Sequence, residues 1–289
     1  MKRSTQLFTL GCIFQLVSTA IAQDAQQQSE VGIQQPVESQ IGISTSAGYE
    51  VQYLYRDNPF YLDNAPTETA RSRAMIHTFY GAVKLPDSKA TSVVTNNTIG
   101  VMQQLFRYQE SQLEDFDYDT FSAFYKGDLA PLGTWNPSVG IAYASIEITE
   151  ANLDAFDGFF PYLSFSKQYE AILATIKTSY AFTDVKGGLS TDTDRLNSWT
   201  TGISLGHTKV LNDRMGFNSK VSLDYAYFNE GSNSGRDDLT FAAGTSLYYV
   251  INKYLKSDLY VDYTKRGSNM NYDYTNWDAG IKFNALLGF

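Results

Sequence analysis

Cysteine is almost missing from this chain and histidine nearly so: Cys12 is the only thiol, and His77 and His207 are the only imidazoles in 289 residues. A single cysteine forms no disulfide within the chain. Once residues 1–22 are removed, thiol nucleophiles and cysteine-held metals are excluded as well. Two histidines without a carboxylate-rich spacing make no metal site. Long apolar runs are also lacking, since no stretch approaches the roughly 20 residues that a membrane-crossing helix requires. Positive charge is in short supply, with 22 basic against 31 acidic side chains. That balance argues against nucleic acid, whose phosphates need a basic footprint.

Residues 1–22 read as a secretory signal. Lys2 and Arg3 give a positive start, Leu7 to Val17 is largely apolar, and Ala20-Ile21-Ala22 supplies small residues for cleavage. Thr9-Leu10-Gly11-Cys12 invites a lipoprotein reading, but so little apolar sequence precedes it that Cys12 is assigned to the signal. Loss of Lys2 and Arg3 leaves 20 basic and 31 acidic groups, a balance of −11. Residues 23–40 are polar and glutamine-rich, with too few apolar groups to repay the entropy of ordering, and read as a flexible periplasmic lead-in.

What is abundant is aromatic: 21 Tyr and 18 Phe, set in segments that alternate with period two. From Ile41 to Arg56 the odd positions Ile41, Ile43, Tyr49, Val51, Tyr53 and Tyr55 share one face, opposite Glu50, Gln52 and Arg56. At about 16 residues this exceeds the five or six of an ordinary strand, and it suits a tilted membrane strand. Candidate strands two to six follow at Arg73–Leu85, Thr98–Glu110, Phe116–Lys126, Pro137–Ile148 and Phe159–Gln168. Five more lie at Ile172–Phe182, Asn197–Lys209, Met215–Tyr227, Leu239–Tyr249 and Leu255–Tyr263. The twelfth closes the chain, where Trp277, Ala279, Ile281, Phe283, Ala285, Leu287 and Phe289 occupy every second position. Short links near Gln168, Asn212 and Asn252 alternate with longer polar ones at 183–196, 229–238 and 265–274.

This closing segment resembles the C-terminal signature of bacterial outer-membrane β-barrels, a last strand with alternating apolar residues that ends in Phe. The resemblance implies recognition by the barrel assembly machinery. Ser46-Ala47-Gly48-Tyr49-Glu50-Val51-Gln52-Tyr53-Leu54-Tyr55-Arg56 is similar to the first strand of putative porins, where a Gly-Tyr pair precedes an aromatic-Arg pair. The expectation is an all-β protein, a closed antiparallel transmembrane β-barrel over 41–289, with twelve strands as the central estimate and ten or fourteen as alternatives. Its seam joins the last strand to the first, because an open edge in lipid strands polar backbone groups. Tyr49, Tyr53, Tyr55, Trp199, Tyr225, Tyr227, Tyr263 and Trp277 are candidates for the aromatic girdles.

Inward-facing polar groups are the candidate site: Glu50, Gln52, Arg56, Lys220, Asp224, Lys256, Asp258, Asp262, Lys282 and Asn284. In a water-filled lumen they set the field felt by a solute, and in a narrow one they pair and close it. A twelve-stranded barrel lies between those cases. The expected role is passive diffusion of ions or small polar solutes, with a plugged structural or adhesive barrel as the alternative and an outer-membrane hydrolase behind both. Gly202-Ile203-Ser204-Leu205-Gly206 matches the serine hydrolase pattern G-x-S-x-G, but it lies inside a strand rather than on a strand-to-helix turn. His207 falls on the opposite face from Ser204, so no catalytic, cofactor or metal residues are assigned. Acidic clusters at Glu110, Glu114, Asp115, Asp117 and Asp119, and at Glu147, Glu150, Asp154 and Asp157, read as a solvated outer rim. The expected partners are outer-membrane lipid and lipopolysaccharide, the assembly machinery and small polar solutes, with no nucleic acid.

Overall fold

The computed structural model describes residues 44–58, 71–86, 93–111, 113–149, 153–186, 196–270 and 272–288. The expected signal at 1–22, the glutamine-rich segment at 23–40 and Phe289 lie outside them. Among the described residues the strands are β1 (Ser44–Arg56), β2 (Ser72–Lys84), β3 (Val94–Tyr108), β4 (Tyr118–Leu129), β5 (Asn136–Ile148) and β6 (Leu153–Tyr169). They continue with β7 (Ile172–Val185), β8 (Ser198–Asn212), β9 (Met215–Phe228), β10 (Asp237–Asn252), β11 (Leu255–Ser268) and β12 (Tyr274–Gly288). Every strand pairs antiparallel with its chain neighbours, and β12 returns to β1, so the sheet is a closed twelve-stranded barrel. The seam runs in unbroken register from Ser46 opposite Gly288 to Arg56 opposite Asp278. Closure gives the backbone donors and acceptors of both edge strands a partner, which lipid cannot supply.

Local chemistry explains the short end of the barrel. Asn212 and Asn252 each stand at the start of a two-residue turn. The Asn212 Oδ1 accepts hydrogen bonds from the backbone of Arg214 and Met215 at 2.9 and 3.0 Å, and Asn252 does the same for Tyr254 and Leu255 at 2.8 and 3.1 Å. These side-chain-capped turns need no further residues. At this same end β3 and β4 both extend beyond their expected bounds, Thr98–Glu110 and Phe116–Lys126. β3 starts at Val94 with a bulge at Asn96, whose φ is 49°, and β4 runs on to Leu129. A small bridge of Leu132 with Trp135 closes the turn that follows around Gly133, at φ 63°. At the other end β6 begins at Leu153, not near Phe159, so part of the expected 149–158 loop is strand. Asp157 therefore sits on the barrel wall, pairing with Ser145 of β5.

The two faces separate by chemistry. Outward positions are aliphatic and exposed, including Ile203, Leu205 at 57% and Leu259 at 58%, a band that water would penalise and lipid would not. Aromatic rings gather toward the long-loop end, where Tyr180 meets Phe182 and Trp199 at 4.5 and 4.8 Å, and Tyr263 meets Trp277 at 4.6 Å. Phe217, Tyr249 and Tyr169 occupy the short-turn end. This closed barrel with an apolar belt between aromatic rims is a transmembrane barrel of the bacterial outer membrane, its short turns at the periplasmic end.

The seam also depends on one missing methyl group. A Cβ on Gly280 would overlap the Tyr53 carbonyl oxygen and come within 2.7 Å of the Tyr260 hydroxyl and 3.0 Å of the Leu54 Cα. Gly280→Val is therefore expected to destabilise the barrel by about 1–3 kcal/mol. The measurement is the temperature at which the compact, SDS-resistant band disappears on a gel, and a variant as resistant as the parent would contradict this seam.

Candidate functional site: the lumen

Register and burial fix which side chains point inward. Residues paired through Arg56, Ser72, Tyr118 and Ile148, and their period-two neighbours, all belong to the enclosed face. On this parity Glu50, Gln52 and Arg56 of β1, Lys220 and Asp224 of β9, Lys256, Asp258 and Asp262 of β11, and Lys282 and Asn284 of β12 all project into the barrel. The seam brings several together. Gln52 lies opposite Lys282, and Glu50 lies opposite Asn284, whose Nδ2 donates to the Glu50 carboxylate at 3.2 Å. Tyr80 donates its hydroxyl to the Asn284 Oδ1 at 3.0 Å, and Gln52 donates to the Tyr260 hydroxyl. Lys256 is ion-paired with Asp258 at 3.2 Å. Arg56 makes two parallel bonds of 2.9 Å to Asp278, the fork geometry that suits a guanidinium and a carboxylate.

Several inward groups escaped sequence reasoning. Asp278 and Lys177 alternate correctly but gained no weight without a partner strand. The larger omission is a repeated pairing of glycine with a bulky neighbour on the same inward face. Gly48 lies opposite Tyr80, Gly100 opposite Phe124, Gly140 opposite Tyr162, Gly216 opposite Tyr248 and Gly280 opposite Tyr260. In each case the ring or its hydroxyl occupies the space that a Cβ would fill. The ring lies along the wall instead of across the lumen, the arrangement by which an aromatic residue shields a strand glycine. Lysines then sit over three of those rings: Lys177 at 4.6 Å from Tyr162, Lys256 at 5.0 Å from Tyr248 and Lys282 at 5.6 Å from Tyr260.

The two ends of the lumen differ. Near the long loops, inward residues of many strands form one contiguous apolar cluster that includes Leu54, Phe106, Ile146, Phe156, Val185 and Phe228, joined by Leu113 and Leu196 from the connections. Phe106 stacks on Tyr118 at 4.6 Å, and the Arg56 guanidinium lies 5.5 Å from the Phe106 ring. Beside this cluster, Arg236 from the β9–β10 link folds inward between Phe228 at 4.4 Å and Tyr272 at 3.8 Å. Arg236 binds Asp238, whose other neighbour is Arg266 at 3.7 Å. All three are at most 4% exposed, so the one Asp238 carboxylate is shared by two guanidiniums, with Arg266 also donating to the Tyr272 carbonyl at 2.9 Å and lying over the Tyr274 ring at 4.4 Å. Toward the periplasmic half, Lys126, Lys177, Lys220 and Ser164 remain partly accessible, and Asp262 is exposed although the barrel surrounds it.

The remaining candidates fall outside the lumen or apart from each other. Ser204 points inward and His207 outward, on opposite sides of the wall. His77 faces outward from β2, and its Nδ1 lies 2.6 Å from the Tyr49 hydroxyl. Part of the acidic rim is engaged with arginine: Glu110 with Arg73 at 3.1 Å, and Asp119 with Arg107 at 2.6 Å. Asp117 accepts a hydrogen bond from the Tyr108 backbone at 2.7 Å. Asp157 accepts from Tyr143 at 2.9 Å and pairs with Lys186. Glu150 lies outside the described residues. Among those residues, no group of three or more His, Asp or Glu is placed to hold a metal ion.

Because the Arg56 pair is largely shielded, at 8% and 17% side-chain exposure, removing one member leaves the other charge in place without its partner. Arg56→Ala is expected to cost about 3–5 kcal/mol, while Arg56→Met combined with Asp278→Leu recovers most of it. Urea unfolding in lipid vesicles, followed by tryptophan fluorescence, measures both, and equal losses in the two variants would refute the pairing argument.

No family model matches the sequence, and no curated protein sequence matches it. Solved structures similar to the chain are barrels. The KdgM porin in complex with disordered oligogalacturonate is 10% identical at a TM-score of 0.44, covering 81% of this chain and 97% of its own. The translocator domain of the autotransporter NalP from Neisseria meningitidis is 10% identical at 0.47, covering 95% and 97%. An outer membrane channel from Pseudomonas putida F1 is 6% identical at 0.49, covering 86% and 97%.

Proposed function

We propose that this protein is a passive outer-membrane channel for ions and small polar solutes, with a narrow outer mouth. The observation that carries the reading is Asp262, an enclosed carboxylate that is nevertheless exposed, on a wall where lysines, serines and threonines alternate with glycine. Such a surface is hydrated and holds charge of both signs, which suits diffusion of polar solutes. The rings laid over Gly48, Gly140 and Gly216 support it further, because a filled barrel has no need to hold its bulky residues against the wall. We assign no catalytic role, with Ser204 and His207 on opposite faces. Lipid and lipopolysaccharide cover the apolar belt in this reading, and the assembly machinery receives the chain through its closing strand.

The apolar cluster around Phe106, Phe156 and Phe228 favours a second reading, a barrel plugged at its outer end that serves a structural or adhesive role. One experiment separates the two. Purified protein in a planar lipid bilayer is expected to give discrete conductance steps, enlarged when Phe106 and Phe228 are both replaced by Ala. Steps in the double variant alone would establish the plugged barrel, and a silent variant that is nonetheless inserted and folded would exclude both open forms.

A further inference from the structure

We propose that the charged stretch of lumen wall from β7 to β11 is a selectivity site for small zwitterionic solutes, those carrying an ammonium and a carboxylate on one short skeleton. The inference rests on the channel reading above and adds a solute class to it.

The geometry is a repeat. Lys177 of β7 pairs across Gly202 of β8 to Asp224 of β9, all on one register line. Lys220 of β9 pairs across Gly244 of β10 to Asp262 of β11 in the same way. In both lines the aspartate Oδ1 occupies the space that a glycine Cβ would fill, so the carboxylate leans across the central strand toward the lysine side. Adjacent strands stand about 4.8 Å apart, which puts the two flanking backbones about 10 Å from one another, and the lean brings the charges nearer. Asp278 of β12 lies directly opposite Asp262 and is held by Arg56, so Lys220 is the cation on the line of the open carboxylate. On the facing wall at a similar depth Thr78, Gln104, Ser122 and Phe124 point inward beside two charged groups, Glu50, which accepts a hydrogen bond from Asn284, and Lys126. The two lysine–aspartate lines are therefore concentrated on one side of the lumen.

This arrangement discriminates by dipole and not by net charge. A simple cation drawn to Asp262 also meets Lys220, and a simple anion drawn to Lys220 also meets Asp262, so neither gains much. A solute with both groups can face each with its opposite. Side chains at these four positions are at least partly accessible from within the barrel, and Asp262 is the most open of them. The glycines make room for the leaning carboxylates, which no larger residue would allow.

The test uses the full-length protein in liposomes and compares osmotic swelling with β-alanine and with lactamide, its uncharged isomer. β-Alanine is expected to enter about threefold faster, a preference lost in Lys220→Gln combined with Asp262→Asn. Single replacements give an independent reading in planar bilayers, where Lys220→Gln should move the reversal potential toward cation selectivity and Asp262→Asn toward anion selectivity. Equal entry of the two isomers through a parent protein that conducts ions would overturn this inference while leaving the channel reading intact. Single variants that conduct with an unmoved reversal potential would overturn it too, by showing that the charges only neutralise each other. A folded parent that passes neither ions nor either isomer would remove the channel reading and this one with it.

Discussion

A peptide group in hydrocarbon has nowhere to send its hydrogen bonds except to another peptide group, and this requirement governs the molecule. Each unpaired N–H or C=O in lipid costs several kcal/mol, so a sheet can cross only if its edges meet. The meeting of β1 with β12 answers that demand, and its register then dictates which side chains look inward and which look outward. The apolar belt, the aromatic rims and the polar lumen are consequences of one alternation wrapped into a ring. A shift of one residue at the seam would exchange Arg56 and Glu50 for Tyr55 and Tyr49.

Within that ring the lumen obeys two opposite rules. Near the long loops it is treated as a protein core, with phenylalanines clustered and charges admitted only in paired sets such as Arg56 with Asp278 and Arg236 with Asp238 and Arg266. Toward the periplasm it is treated as a surface, with lysines and aspartates accessible and the rings folded back onto glycine. The change of rule accompanies the strands as they run beyond the apolar belt. There, Leu113 and Leu196 from the connections and Arg236 from the β9–β10 link turn inward and add side chains to the bore.

The fold was legible in the sequence because its signal is local. Period-two alternation needs only one strand at a time, and in β9, β11 and β12 it is clean enough to place Lys220, Asp258 and Lys282 on the inward face without reference to any neighbour. Strands β2 and β4 are harder to phase, since His77 and Gly81 interrupt the outward row of β2 and the rings of Tyr118 and Phe124 lie on the inward row of β4. What could not be read was anything between strands. The link of Arg56 to Asp278 spans the entire barrel sequence, and the glycine beneath Tyr248 lies on another strand. The inward fold of Arg236 depends on rings at Phe228 and Tyr272 that become neighbours only once the wall is closed. Glycines in a strand ordinarily weaken it, and without the register they looked like mere small residues in a crowded wall.

The rings that rest on glycine bear on the width of the bore. In a barrel of fixed strand number the backbone sets the outer calibre, yet here a single methyl group at Gly140 or Gly216 would push a tyrosine off the wall into the lumen. Such an exchange leaves every lipid-facing residue untouched. The bore can therefore be reshaped by a point substitution that leaves the lipid-facing surface as it was.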